Sequence, residues 1–519
     1  MKKKIISLLL LGIMAITAVG CNNDTNENVK VAPGEPIVIE KSLFGNPIGG
    51  FDAEGKLTYG GDPAILVDGD TVYLYTGHDI SPTSSYMIPE YQCYSTKDLI
   101  NWTYEGVVMS MKDVKWGNIA AAWAGQVAKH YDETLKKDMY YLYFCSWDNT
   151  DSGKQSIGVA VSENPTGPFV DIGEPLVKGS FTQFQTSDWN DIDPTVWIEK
   201  DDKGVEHIYL MWGNSKLYGC ELNADMVSVK DLNGDGKIKY GIDVMEFAAP
   251  QSFTEGPWLY RRQDENGNYY GPHYMFYAHG WREQLAYATT DAEDFRLAIW
   301  EFGGMVMSPS ATSNTNHPAV FDFKGKTYLV YHNGSLPKGS GYRRVACIEE
   351  IIFDENGQIA RLEETATGIS GIISTIKNTA GEVFAHARFN NASTDTSYPY
   401  DDVQLGSNLK NSKPEDAYWE IVPGQADKAN ENYVSIESYN KAGLYVTADS
   451  ESTVVLAQNH DGKMQDAQTF ITVQGLNGEG VSFESVKFPG KYLTLMDGVA
   501  SLTDGSNKDA CSFTIETVQ

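Results

Sequence analysis

Cysteine is scarce in this chain, 6 residues in 519. Cys93, Cys145, Cys220, Cys347 and Cys511 are widely spaced in strand-like runs, with no metal-ligand spacing. That excludes a zinc site and a dense disulfide framework; buried small hydrophobes are the expected role. Basic residues are also few, 40 Lys and Arg against 70 Asp and Glu, for a formal charge of −30. A nucleic-acid partner needs a basic face to meet phosphate, so that class is excluded, whereas a neutral polysaccharide remains compatible. After residue 21 no apolar run reaches the ~18–20 residues that span a bilayer. Helical periodicity is nearly absent as well. The length exceeds what one compact core supports, so two or three domains are expected.

What is present begins with a leader. Lys2-Lys-Lys precedes an apolar run from Ile5 to Ile16, and Ala18-Val-Gly-Cys21 follows. A small residue directly before a Cys at the end of such a run resembles a bacterial lipoprotein signal. The expectation is a signal over 1–21, lipidation of Cys21, and a polar flexible tether over 22–39. The protein would then be lipid-anchored in the bacterial cell envelope, touching membrane only through that anchor. An ordinary secretory peptide or a short membrane anchor are the alternatives.

One sentence then recurs five times. An apolar strand marked by Pro, or by Gly in one copy, runs through a polar turn into a Tyr-rich strand. The residues before the Pro slot are Asp62, Ala124, Asp193, Gly256 and His317, at steps of 62, 69, 63 and 61. Repeats of about four strands at a fixed long period describe a radial β-architecture, so five copies predict a five-bladed β-propeller over 40–365. If each first strand lines the axis, Asp62, Asp193, His317 and Glu255, one residue before Gly256, converge at one mouth of the channel.

Acidic residues are common here and most are expected to be solvated. Asp62 and Asp193, however, share one structural slot that Glu255 adjoins. Asp193 follows Trp189 and Asp191, and Glu255 precedes Trp258. A carboxyl beside apolar aromatics has raised proton affinity, as an acid catalyst needs, and one left ionised can act as base. Two such groups flanking an acetal bond are the minimum equipment for glycoside hydrolysis. Separately, Asp231, Asn233, Asp235 and Gly236 match the first half of an EF-hand loop, but its twelfth position is Ile242. This reads as a polar hairpin insertion or a weak surface calcium site.

From about Thr365 the pattern changes. Val481-Ser-Phe-Glu-Ser echoes Val434-Ser-Ile-Glu-Ser, and Asp509-Ala-Cys-Ser-Phe echoes Asp466-Ala-Gln-Thr-Phe. A fainter third ending lies at Glu415-Asp-Ala-Tyr-Trp. Two clear copies and one degenerate copy predict a pseudo-threefold, β-trefoil-like domain over 379–519. The fold class is therefore all-β, a five-bladed β-propeller followed by a β-trefoil-like domain.

Gly61-Asp62-Pro63, Ala122-Trp123-Ala124, Asn190-Asp-Ile-Asp193-Pro194, Thr254-Glu255-Gly256-Pro257 and Asn316-His317-Pro318, in that order, resemble the family 43 glycoside hydrolases. The resemblance runs from about Asn46 to Glu364. It implies an inverting hydrolase with Asp62 as general base, Glu255 as general acid, and Asp193 orienting Glu255 and holding its proton affinity up. His317 resembles a channel histidine close to a water-ligated calcium, so calcium is the implied cofactor. Trp123 would form a wall of the sugar pocket, although Gly125 departs from the family's usual Pro. Trp258 and Asp191, adjoining the acids, are further candidate substrate contacts. Gly341-Tyr-Arg343-Arg344 resembles the segment that presents an arginine to the pocket, and strand alternation lets only one of the two face inward.

The C-terminal unit resembles arabinofuranose-binding β-trefoils more loosely, with His386, His460, Asp461 and Asp504 as its sugar-binding candidates. Together the resemblances imply an exo-acting α-L-arabinofuranosidase on plant oligo- or polysaccharide such as arabinoxylan or arabinan. A β-xylosidase and a non-catalytic glycan-binding lipoprotein are the rival readings. Inversion predicts acid and base carboxyls roughly 6.5–9.5 Å apart, with room for a water between them.

Overall fold

The computed structural model describes residues 31–82, 84–150, 153–182, 189–388 and 403–518. The leader over 1–21 with its Cys21, and the tether up to residue 30, lie outside them. The five sequence copies fold as five antiparallel sheets in chain order. Their first strands are Gly60–Asp68, Gln126–Asp132, Thr195–Lys200, Phe253–Gln263 and Ala319–Phe323. Each first strand touches the first strand of the next sheet, and the fifth touches the first, so the ring closes. This is a five-bladed β-propeller with the first strands around the axis.

The blades hold because their inner strands are apolar on both faces. In the second strand of blade 2, Lys137–Trp147, every residue from Met139 to Ser146 is buried. Such a run is buried on both sides only when a sheet is sandwiched between neighbours, as blades are. Tyr143 and Phe144 are fully buried there, each contributing about 1.5–3 kcal/mol by removal from water. The turns between first and second strands are those read in the sequence; Asp68-Gly69-Asp70, for example, turns on the left-handed Gly69. Blade 5 has three strands, and the entry segment runs beside the last of them, Val345–Ile351. Ile48 N–H donates to Ala346 O at 2.9 Å and Gly60 N–H to Arg344 O at 2.7 Å.

The second domain is a β-trefoil-like unit of twelve strands among the described residues. They fall into three sets of four, opening with Ser374–Asn378, Tyr433–Ser438 and Val481–Ser485. The first set therefore starts ahead of the expected boundary at 379, because its opening strand precedes the turn at Thr379-Ala-Gly381. Part of the segment read as a tether is fastened to this domain. Gly34 N–H donates to Gln474 O at 2.9 Å, Gln474 N–H to Glu35 O at 2.7 Å, and Ile37 N–H to Thr472 O at 3.0 Å. Unpaired backbone of the outer strand Phe470–Gln474 is satisfied by this pairing, which overrides the segment's polar composition.

The EF-hand-like loop folds on itself. The Asp231 carboxylate accepts from Gly234 N–H at 2.8 Å and Gly236 N–H at 2.6 Å, and Asp235 pairs with Lys239. Its carboxylates serve the turn, and the loop is a polar hairpin insertion. All five described cysteines are buried and free.

Candidate active site

Asp62 and Asp193 occupy the same slot in blades 1 and 3, and both are left-handed, with φ of 54° and 59°. Gly256 fills that slot in blade 4 with φ 62°. Asp tolerates this conformation better than most residues, and Gly takes it freely. The kinks break the ladder, with register shifts between Gly61 and Ala64 and between Glu255 and Trp258. A bulge of this kind re-aims a side chain, here into the mouth of the channel.

At that mouth lies a cavity of about 320 Å3. Its floor is charged and its walls are aromatic: Tyr86, Trp123, Trp189, Trp281 and Tyr342 line the sides. Trp189 stacks on Trp123 with ring centroids 5.8 Å apart. The centre of the floor is His317. Its Nε2 lies 3.1 Å from Glu255 Oε1 and 3.8 Å from Asp193 Oδ2, and its Nδ1 lies 3.5 Å from Asp62 Oδ1. Asp62 and Glu255 thus meet opposite nitrogens of one imidazole. Gly256 N–H donates to Asp193 Oδ2 at 3.0 Å, so the backbone that carries Glu255 also fixes Asp193.

Arg344 is the arginine that faces the site. Its guanidinium forks onto Asp62 at 2.5 and 3.0 Å and onto Asp79 at 2.9 and 3.0 Å. Gly61 makes room for it, since a Cβ there would come within 2.1 Å of Arg344 Nε. Below, Asp62 N–H donates to His332 Nδ1 at 3.1 Å, so the neutral His332 ring carries its proton on Nε2, beside Thr315 Oγ1.

Charge is shared unequally across this floor. Burial opposes a charge on His317, but Asp62, Asp193 and Glu255 outweigh it and raise the imidazole to about 10. Burial pushes Asp193 up to about 8, against the pull of His317 and with the help of Glu255 and Asp62. Glu255 is also desolvated, yet the hydrogen bond and charge of His317, together with Asn214 Nδ2 at 2.6 Å, bring it below its ordinary value. Against the expected role of Asp193 in holding up the proton affinity of Glu255, the His317 contact pulls Glu255 down, while burial raises Asp193.

Three other expectations are corrected. Trp258 is buried in the blade, its indole N–H donating to Val320 O at 2.8 Å. Asp191 is fully buried away from the cavity, taking hydrogen bonds from Trp212 Nε1 at 2.7 Å and Thr182 Oγ1 at 2.6 Å. Arg343 points outward to Ser81 O at 2.6 Å. In the trefoil, His386 is buried against Ser438 and Asn440, while Asp461 and Asp504 close their own turns. His460 is exposed.

The structure adds residues that motif reading missed. Glu283 lines the cavity, is 2 % exposed, and accepts from Asn316 N–H at 2.7 Å. Its carboxyl hydrogen-bonds Glu255, and burial together with the Glu255 charge raises it well above the ordinary range. Asp79, Asn214, Trp281 and Tyr86 are the others. All lie between the second and third strands of a blade, on loops that return to the mouth where the first strands begin.

Asp193, Glu255 and His317 each offer one donor atom, all within 4.8 Å of one another. Calcium takes six to eight oxygens. Two carboxylate oxygens and one nitrogen are too few donors for a directly held calcium.

Residues 58–359 match the family described as glycosyl hydrolases family 43, and residues 386–514 match the alpha-L-arabinofuranosidase B (ABFB) domain. The chain is 30% identical over 291 residues to a beta-D-galactofuranosidase, XynD, of Aspergillus niger, covering 54% of this chain and 76% of that one. It is 28% identical over 342 residues to a xylosidase/arabinosidase of Bacteroides ovatus, covering 59% and 95%. It is 26% identical over 341 residues to an arabinoxylan arabinofuranohydrolase of Paenibacillus polymyxa, covering 61% of this chain and 50% of that protein.

Proposed function

The chain belongs to glycosyl hydrolase family 43, a glycoside hydrolase of xylosidase/arabinosidase type, and from that premise we propose an inverting, exo-acting α-L-arabinofuranosidase. The observation that carries the reaction is the placement of Asp62 and Glu255 on the two sides of His317 beneath one small cavity. Asp62 takes a proton from water as the water oxygen bonds the anomeric carbon. Glu255 gives a proton to the glycosidic oxygen as its bond to that carbon breaks. Asp62 and Glu255 approach opposite nitrogens of the imidazole, and an inverting pair must stand far enough apart to admit a water.

Glu255 must carry a proton to act as acid, although His317 lowers its proton affinity in the free site. Asp193 and Glu283, whose proton affinities burial raises, flank it. When the sugar's leaving oxygen enters the cavity and displaces the His317 contact, desolvation favours the protonated form of Glu255. No step needs a metal. A hydrated calcium reached by His317 through water would lie outside the reacting groups.

Arabinose as the released sugar rests on the ABFB domain and on the arabinofuranohydrolase among the relatives. β-Xylosidase activity is the second reading, favoured by the relative named for both sugars. The non-catalytic binder gives way to the family assignment. Anchoring through Cys21 to the bacterial envelope belongs to the same proposal, and loss of membrane association in Cys21→Ala would support it.

The test is product release from arabinoxylan, arabinan and xylo-oligosaccharides by wild type and Glu255→Ala. Arabinose release reduced about 10²–10⁴-fold by the substitution supports the proposal. Xylose in its place moves the assignment to β-xylosidase, and no product from any glycan defeats it.

A further inference from the structure

Blade 5 reaches the catalytic pocket through the loop 334–344, which joins its strands Lys326–Asn333 and Val345–Ile351. The loop ends on two residues of that pocket. Tyr342 packs on Tyr86 with ring centroids 4.8 Å apart, and Arg344 forks onto Asp62. Inside the propeller the loop is tied by short turns: Gly339 N–H donates to Leu336 O at 2.7 Å, and Ser340 and Arg343 exchange backbone hydrogen bonds at 3.1 Å.

The rest of its support comes from the trefoil. The strand Val454–Gln458 ends beside the loop, and the buried Gln458 donates through Nε2 to Gly334 O and, at 3.2 Å, to Gly339 O. Among the described residues no other hydrogen bond reaches either carbonyl. Buried carbonyls need a donor, so one side-chain amide from the other domain closes this bend. The next residue continues the grip, Asn459 O accepting from Lys338 N–H at 2.8 Å. Two trefoil glycines let the surfaces meet: a Cβ on Gly443 would come within 2.5 Å of Ser335 Cα, and one on Gly462 within 2.5 Å of Lys338 Cε. The turn 459–462, whose His460 and Asp461 were candidates for sugar binding, is therefore seated on the propeller. Farther along the loop, a Cβ on Gly341 would lie 1.6 Å from Asn314 Oδ1. Asn314 lines the catalytic pocket and donates to Tyr86 Oη at 3.4 Å.

Hydrogen bonds and close contacts thus run without a gap from the trefoil to the arginine on the base side of the site. We propose that the trefoil is a structural part of the active site and that Gln458 is a positioning residue, holding the loop so that Arg344 meets Asp62 and Tyr342 meets Tyr86. The trefoil then serves the chemistry itself, on small and large substrates alike, apart from any glycan it binds. A displacement of about 1 Å in a group that orients the reaction is enough to cost a large factor in rate. The consequence for turnover rests on the hydrolase reading above; the clamp on the loop does not.

The experiment uses the full-length protein. Gln458→Ala is expected to lower kcat on 4-nitrophenyl arabinofuranoside about 10- to 100-fold. In an Arg344→Lys background the same change should cost no more than about twofold further, because two residues that act as one unit do not add. Gly443→Ala, which pushes on Ser335 and leaves Gln458 in place, should reproduce the loss. Amide hydrogen exchange supplies a readout that needs no substrate: residues 339–343 should exchange about five- to tenfold faster in Gln458→Ala, the worth of one hydrogen bond, with the other blades unchanged. Losses that multiply in the Arg344→Lys background overturn the positioning role, as do losses confined to polymeric substrates. Full turnover with unchanged exchange at 339–343 also overturns it and leaves the hydrolase reading intact. If Gln458→Ala fails to fold, Gly443→Ala carries the same two measurements. If wild type cleaves no glycoside, the hydrolase reading fails; faster exchange then still supports the clamp, and unchanged exchange overturns it.

Discussion

Arg344 spends both edges of its guanidinium on Asp62 and Asp79, all three groups buried. Removing one partner of a buried ion pair leaves an uncompensated charge, so Arg344→Ala is expected to cost about 3–5 kcal/mol in denaturant titration. Arg344→Lys keeps the charge but cannot fork onto two carboxylates. It should fold, bind weakly, and turn over at least tenfold more slowly. Glu283 is a subtler case, since it touches Glu255 through a carboxyl that burial keeps protonated. Glu283→Gln retains a neutral hydrogen-bonding group and should keep kcat within a few-fold near pH 6, while Glu283→Ala should lower it about 10- to 100-fold. The direction of its shift adds a sharper sign. Wild type is expected to lose activity at high pH as Glu283 and Asp193 give up protons, but Gln cannot ionise, so the alkaline limb should move upward in Glu283→Gln. A limb identical to wild type would show that Glu283 only packs.

At the scale of elements, the blades were readable because each first strand opens on the same slot, marked by Pro in four copies and by Gly125 in one, and each hairpin turns on Gly, Asp or Asn. The slot also located Asp62, Asp193, Glu255 and His317, since closing the ring brings equivalent strand starts together. The loops between second and third strands escaped, because Asp79, Asn214, Trp281 and Glu283 share neither residue type nor spacing. They become visible only through antiparallel geometry, which returns every second strand to the mouth where the first began. Trp258 misled for the opposite reason: it follows Glu255 in sequence, but strand alternation turns it into the blade. The entry segment is a third case. Its polar composition signals flexibility, yet backbone pairing with Phe470–Gln474 holds it. Deleting residues 31–42 is therefore expected to lower the melting temperature, each lost hydrogen bond being worth about 1 kcal/mol net. An unchanged melting curve would show that the segment rests on the trefoil without stabilising it.

For the whole molecule, the junction of propeller and trefoil holds an unusual number of buried acids. Glu349 is raised to about 8 and Glu364 to about 7, in both cases by burial first, and Glu420 and Glu437 sit across the same boundary. Each binds its proton more tightly folded than unfolded. Their contribution is therefore complete below about pH 4.3, the unfolded value, and is lost as pH rises through about 7 to 8. His317, raised to about 10, adds in the same direction above its ordinary value. His386, lowered to about 4, works in the opposite sense only below about pH 6.5, and the buried Lys441, also lowered, opposes only where a lysine titrates. Between pH 6.5 and 8.5 the acids dominate, with a limit of about 1.4 kcal/mol per pH unit for each group. The melting temperature should fall across that window, and Glu349→Gln, which still bonds Thr365 but cannot ionise, should flatten the fall. Scanning calorimetry of both proteins at several pH values decides it: parallel curves would mean that water reaches Glu349 and relieves its burial. The active site is expected to lose protons over a similar range, since burial pushes Asp193 up to about 8. Catalysis and domain cohesion should therefore fail together on the alkaline side, which ties the working range of the enzyme to neutral or mildly acidic surroundings.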